Sequence, residues 1–276
     1  MAGQSTIFVL LMLSFLVPFA RARAFVRFGY SGAIGPDKWG SLSPEFVLCS
    51  KGTHQSPINI AKNDDVVYNP KLEPLERDYV AVDSNATLVD NGFNIALQYD
   101  ASVGALMVNG KNYTLKQMHW HSPSEHTING ERFAVELHLV HKSDDGNISV
   151  VAILYKYGHP DPLLYQIKDK VAELTKEVGS GDEEAHVAIG AMHISALRRR
   201  VHKYFRYVGS LTTPPCTENV IWNVVSKVRE MSKKQAEALR APLQQEYRRN
   251  SRPIQPLNGR TVELYDGSGS VGNNSD

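Results

Sequence analysis

Several features are missing from this sequence, and each absence removes a class of protein. No apolar stretch reaches the ~20 residues of a membrane-spanning helix; the longest, Ile7 to Phe19, has 13. Neither sign of charge dominates, since 30 Lys plus Arg face 29 Asp plus Glu. That balance argues against nucleic acid as a partner, and the short basic run Arg198-Arg199-Arg200 reads as a solvated face. There is no internal repeat, no heptad pattern and no Pro- or Gly-rich linker. The chain therefore reads as one large domain, with 42% hydrophobic residues to build its core.

Cysteine is nearly absent: only Cys49 and Cys216 occur. In an oxidising compartment such a pair is most simply one disulfide, closing a loop of about 170 residues; two buried thiols are the other reading. The N-terminus favours the oxidising route. Its 13-residue apolar run is followed by "ARARA", which offers an A-x-A cleavage site ending at Ala22 or Ala24. Residues 1–24 are thus expected to be a secretory signal peptide, 25–265 the domain and 266–276 a disordered tail. The C-terminal "YDGSGSVGNNSD" carries no lipid-anchor signal, so a soluble mature protein without a membrane anchor is expected. Four N-x-S/T sequons, at Asn85, Asn112, Asn147 and Asn273, suit a secreted glycoprotein.

Most of the rest alternates like strands bounded by turns: "ATLVDNG", "FNIALQY", "GALMVNGKNYTLKQMHWH", "RFAVELHLVH" and "ISVVAILYKYG". Helical period is clear in two places. One is 162–178, with Pro162 near N1 and Leu163, Leu164, Ile167, Val171 and Leu174 on one face; the other starts at the N-cap Ser232, with Gln235 at N3, and runs to about Arg240. A mainly antiparallel sheet with peripheral short helices follows.

What is plentiful is histidine in one place. Residues 117–141, "QMHWHSPSEHTINGERFAVELHLVH", hold five of the ten. Asn129-Gly130 is a strong hairpin signal, because both central residues of a type I′ turn need φ > 0. With a two-residue loop, paired numbers sum to 259 and His121 faces His138; Pro123 is where a bulge would break that register. Directly opposed residues share a face, as do residues two apart. His119, His121 and His138 therefore converge, the first two roughly 7 Å apart along the strand. The opposite face, Met118, Trp120, Phe133, Val135, Leu137 and Leu139, is wholly apolar and must be buried. Three neutral imidazoles on rigid strands make a tetrahedral Zn²⁺ site with its fourth position open to water, the arrangement of catalytic rather than structural zinc. Gln117 and Glu136, two residues before His119 and His138, are placed to orient their rings. His126 and His141 point away from the face of His119, His121 and His138 and read as surface or satisfied core histidines.

At these residues the chain resembles a known family. "QMHWHSPSEHT", "VELHLVH", "GSLTTPPCTE" and "RPIQPLNGR" are similar to the α-class carbonic anhydrases, particularly their plant secretory members, and the match begins at "FGYSGAIGPDKWG". The resemblance implies a single domain around a central, largely antiparallel twisted ten-stranded sheet. It implies zinc on His119, His121 and His138, and reversible hydration of CO₂ to bicarbonate and a proton by zinc-bound hydroxide. Thr212, bonded to Glu125, would orient that hydroxide, and Thr213 would contact bicarbonate. Val140, Val150, Leu211 and Trp222 would form the apolar wall for CO₂, and Cys49 and Cys216 would match the family's extracellular disulfide. Its plant members also imply an apoplastic location, or a chloroplast reached through the secretory route. One departure stands out: the family's "NGH", whose histidine relays protons, is here Asn91-Gly92-Phe93. A storage or binding protein like the yam dioscorins, on the same scaffold and with weak activity, is the alternative.

Overall fold

A computed structural model describes residues 26–62, 65–79, 86–99, 101–180, 185–190, 192, 194, 197 and 201–268. The leader, the sequons at Asn85 and Asn273 and the Arg198-Arg199-Arg200 run lie outside these. In chain order the first strands are β1 (Asn59–Ile60), β2 (Val66–Tyr68), β3 (Ala86–Asp90), β4 (Ile95–Tyr99) and β5 (Ala105–Val108). Next come β6 (Lys111–His121), β7 (Thr127–Ile128), β8 (Glu131–Arg132), β9 (Val135–Lys142) and β10 (Ile148–Tyr157). The last are β11 (His186–Gly190), β12 (Lys203–Ser210), β13 (Glu218–Val225), β14 (Arg229–Met231) and β15 (Val262–Asp266). Two single-turn helices, α1 (Trp39–Leu42) and α2 (Leu48–Lys51), precede the longer α3 (Pro162–Gly179) and α4 (Lys233–Arg240).

Among the described residues twelve strands form one sheet, ten of them on a continuous path ordered β11-β3-β4-β6-β9-β10-β13-β12-β15-β2. β5 and β14 add to β6 and β10 off that path. Neighbours are mostly antiparallel, with parallel pairs at β10–β13, β10–β14 and β15–β2. The protein is thus mainly β, and the ten-stranded expectation describes the main path of a slightly larger mixed sheet. β15 extends through Asp266, whose carboxylate meets Lys203 Nζ at 2.7 Å. Asp266, the first residue of the expected tail, is thus the last residue of β15.

Both helices form as their sequence signals indicate. The Asp161 carboxylate caps α3 by accepting from Leu163 N and Leu164 N, and the five predicted apolar residues are its buried ones. Ser232 and Gln235 close a reciprocal capping box at the start of α4, satisfying two otherwise orphaned N–H groups. α3 covers one face of the sheet, where its leucines join Met118, Trp120, Val135, Leu137 and Leu139 in the main apolar core. The other face carries a second core of Val150, Ala152, Tyr207, Trp222 and Val224, which also takes in Ile58, Ile60 and Ile128 from a small sheet, β1-β7-β8. Phe133 joins this second core rather than the first.

The Phe133 exchange reveals how the hairpin is built. Asn129 and Gly130 have φ of 49° and 80°, and Ile128 pairs with Glu131 and Thr127 with Arg132, the register expected of a two-residue loop. Five residues, 122–126, then separate β7 from β6, against three between Arg132 and Glu136. Pro123 has no N–H to give to a ladder. The pairing of β6 with β9 accordingly slips by two: His119 faces His138, and His121 faces Glu136, not His121 facing His138 as expected. A slip of two keeps parity, so the three histidines still share a face.

Candidate metal centre

Each of the three imidazoles is held by an acceptor at one nitrogen. His119 Nδ1 donates to Gln117 Oε1 at 2.9 Å, His138 Nε2 to Glu136 Oε1 at 2.8 Å and His121 Nδ1 to the Asn250 carbonyl at 2.6 Å. All three partners accept, so each ring proton lies on that outward nitrogen. The lone pairs of His119 Nε2, His121 Nε2 and His138 Nδ1 are left facing inward. The ring centroids lie 5.0, 5.1 and 4.7 Å apart, and one ligand atom from each residue lies within 4.8 Å of the others.

Two observations indicate that this cluster suits a cation. His138 Nδ1 and His119 Nε2 approach to 3.3 Å, although both of their protons are engaged elsewhere, so two lone pairs face each other. His121 Nε2 is buried without a hydrogen-bond partner, a costly state for a polar atom unless something else binds it. Burial, reinforced by their mutual repulsion, holds His119 well below the ordinary histidine range. Burial also brings His121 down to about 4 and lowers His138. All three stay neutral at pH 7, the form in which imidazole binds a metal.

Glu136 does more than orient one ring. Its Oε1 also accepts from His126 Nδ1 at 2.6 Å, and its Oε2 from the backbone N–H of Glu125 and of His126 at 2.7 and 2.8 Å. Burial alone would raise its pKa, but His126 and His138 outweigh it and hold the carboxyl well below the ordinary range. The Tyr207 hydroxyl completes His126, 2.6 Å from its Nε2. His126 is therefore a satisfied core histidine as expected, but it lies beside the cluster rather than away from it. His141 is satisfied too, on the other face, between Tyr79 and the Ser149 carbonyl.

Glu125 is fully buried; its Oε1 accepts from Arg252 N at 2.9 Å, and its Oε2 lies 3.5 Å from His121 Nε2. Burial pushes its pKa up to about 7, Glu136 adding to the rise while His138, the Thr212 hydroxyl and the Arg252 N–H pull back. Thr212 is buried in the turn after β12; Thr213, partly exposed, accepts from Cys216 N at 2.8 Å. Val140, two residues beyond His138, pairs with Val150, which pairs with Trp222. That row and Leu211 lie in one apolar cluster, and the Trp222 ring stands 4.9 Å from that of His138. The apolar row thus reaches the histidines through the Trp222 ring, while Glu125 lies beside His121 and Thr212 beside Glu125. Cys49 and Cys216 form a disulfide.

Comparison with known proteins assigns the chain to a family. The model of the eukaryotic-type carbonic anhydrases matches residues 34–266. The chain belongs to that family. It is 44% identical over 231 residues to alpha carbonic anhydrase 7 of Arabidopsis thaliana, covering 84% of this chain and 81% of the relative. A crystal structure of dioscorin complexed with ascorbate superposes with a TM-score of 0.82 at 36% identity, over 87% of this chain and 98% of that one. The alpha-carbonic anhydrase of Thermovibrio ammonificans, in complex with the inhibitor sulfanilamide, gives 0.75 at 36% identity, over 86% and 99%.

Sequence reading missed Asn250 and Arg252, the residues behind His121 and Glu125. They contact them across 129 and 127 positions of chain, and no local pattern announces such a contact.

Proposed function

We propose that this carbonic anhydrase family member is a zinc enzyme that reversibly hydrates CO₂ to bicarbonate and a proton. The observation that carries the reading is the inward convergence of three lone pairs whose protons are locked outward by Gln117, Glu136 and Asn250. Zinc held by His119, His121 and His138 would supply Lewis acidity, lowering a water's pKa to about 7. The chain supplies the rest. Ionised Glu125 takes the Thr212 hydroxyl proton as a hydrogen bond, which leaves the Thr212 oxygen as an acceptor aimed at the nucleophile. Val140, Val150, Leu211 and Trp222 give CO₂ a place that water does not favour, and Thr213 receives bicarbonate.

The same reading makes residues 1–24 a cleaved leader, 25–265 the enzyme domain and the protein a secretory-pathway glycoprotein of the apoplast or chloroplast. Asn112 and Asn147 are exposed, as acceptors of glycans must be. A dioscorin-like storage role is the second reading, favoured by Phe93 in place of a proton-carrying histidine.

Zinc analysis of the purified protein, followed by stopped-flow CO₂ hydration with and without sulfanilamide, separates the two. Bound zinc with sulfonamide-sensitive hydration supports the enzyme; zinc without hydration leaves the storage reading.

A further inference from the structure

Asn250 is almost fully buried, at 1% exposure, and every polar atom it has is in use. Its carbonyl accepts from His121 Nδ1 at 2.6 Å, while its N–H donates to Ser122 O at 3.2 Å. Its side-chain Oδ1 accepts from Ser122 N at 2.8 Å. Its Nδ2 donates to Phe93 O at 2.9 Å and lies 3.4 Å from Trp120 O. One residue thus touches a histidine of the metal cluster, the end of β6 and the Asn91–Asn94 turn.

Apart from the packing of the Phe93 ring on Phe28, the turn's hydrogen bonds are local. Asn91 N donates to Asn94 O at 3.0 Å, Asn91 Nδ2 to Asn94 Oδ1 at 2.8 Å and Gly92 N to Asp90 Oδ1 at 2.8 Å. None of these fixes the turn against β6; the bond from Asn250 Nδ2 to Phe93 O does. The aim of the Asn250 carbonyl, in turn, depends on the plane of its peptide. The two bonds to Ser122 set that plane, and one of them comes from the side chain. A ring whose N–H partner can wander loses orientation, and groups that orient metal ligands are worth about 10- to 100-fold in metal affinity.

We infer that the Asn250 side chain is a positioning residue, clamping His121 and the turn that carries Phe93 into one rigid unit. This rests on the zinc reading for its metal half only. Ser251 makes a useful control, since its hydroxyl donates to Pro123 O in the same segment without touching His121 or the turn.

The test compares Asn250→Ala, Asn250→Asp and Ser251→Ala with the wild-type chain by two readouts. One is the rate of zinc transfer to a chromogenic chelator; the other is amide exchange in residues 91–94 of the metal-free protein. Asn250→Ala is expected to release zinc about 10- to 100-fold faster and to exchange at least about tenfold faster in the turn, with Leu137 and Leu139 of β9 unchanged. Asn250→Asp keeps the acceptor for Ser122 and removes the donor to Phe93, so its turn exchange also rises even if the alanine variant does not fold. Ser251→Ala should change neither readout. Zinc release within twofold of wild type in folded Asn250→Ala overturns the inference, as does unaltered turn exchange or acceleration spread evenly through the sheet. If the wild-type chain takes up no zinc, the zinc reading fails, and the exchange data still decide whether the clamp exists.

Discussion

The ring of Phe93 packs on that of Phe28, centroids 4.9 Å apart and planes at 50°, and Trp39 meets Phe28 edge-on at 5.4 Å. The position that relays protons in related enzymes is here part of an aromatic anchor for the N-terminal segment. A water of pKa about 7 that must release its proton straight to solvent limits turnover to the order of 10³ s⁻¹. Turnover at saturating CO₂ is therefore expected to rise steeply with imidazole buffer. Phe93→His should raise turnover and blunt the buffer response with kcat/KM nearly unchanged. It should also lower Tm, since an aromatic pair contributes about 0.5–1.5 kcal/mol. A wild-type kcat near ~10⁶ s⁻¹ would assign the relay to another residue.

Thr212→Ala is expected to keep zinc and lose one to two orders of magnitude in rate, because the nucleophile is no longer aligned. Stopped-flow rates beside zinc content check this. Full activity at saturating CO₂ would remove Thr212 from the mechanism.

The Cys49–Cys216 bridge spans 167 positions, and on the chain-entropy model a loop of that size stabilises by about 5 kcal/mol. Reduction should therefore lower Tm and open the chain to protease. A reduced protein that melts with the oxidised one would show the bridge to be energetically idle.

His141, on the opposite face of β9 from His138, gives the fold an acid-sensitive point. Burial, with Arg77 adding, lowers its pKa to about 3, although its bond to Ser149 O works the other way; unfolded, it titrates near ~6.5. Above that value both states are neutral and the group adds no pH dependence. Below it the unfolded chain takes the proton first, so stability falls with pH until about 3, with a slope of up to about 1.4 kcal/mol per pH unit. Urea unfolding of metal-free protein between pH 7 and 4 should show that loss, reduced in His141→Gln. Equal slopes in the two proteins would contradict it.

Much of this architecture is legible in sequence, and the failures have definite causes. Alternation assigns the faces of β6 and β9, Pro162 and an apolar face place α3, and the Ser232 cap places α4. The β6–β9 register is not legible, because the extra residues before Thr127 follow no periodic rule; the histidine cluster survives because parity does. β12 and β13 escape the pattern altogether. Arg206 and Asn223 are buried on one face, Tyr207 and Trp222 on the other, and a strand buried on both sides does not alternate. Thr212 and Glu125 become recognisable only through family resemblance, since their contact depends on how distant segments meet.

The most direct test is to titrate zinc into metal-free protein while recording CO₂ hydration, with His138→Ala in parallel. Hydration should rise linearly to one equivalent and then stay flat, and the variant should remain near the uncatalysed rate throughout. Zinc uptake without any rise in hydration, or a His138→Ala protein as active as the wild type, would contradict the account.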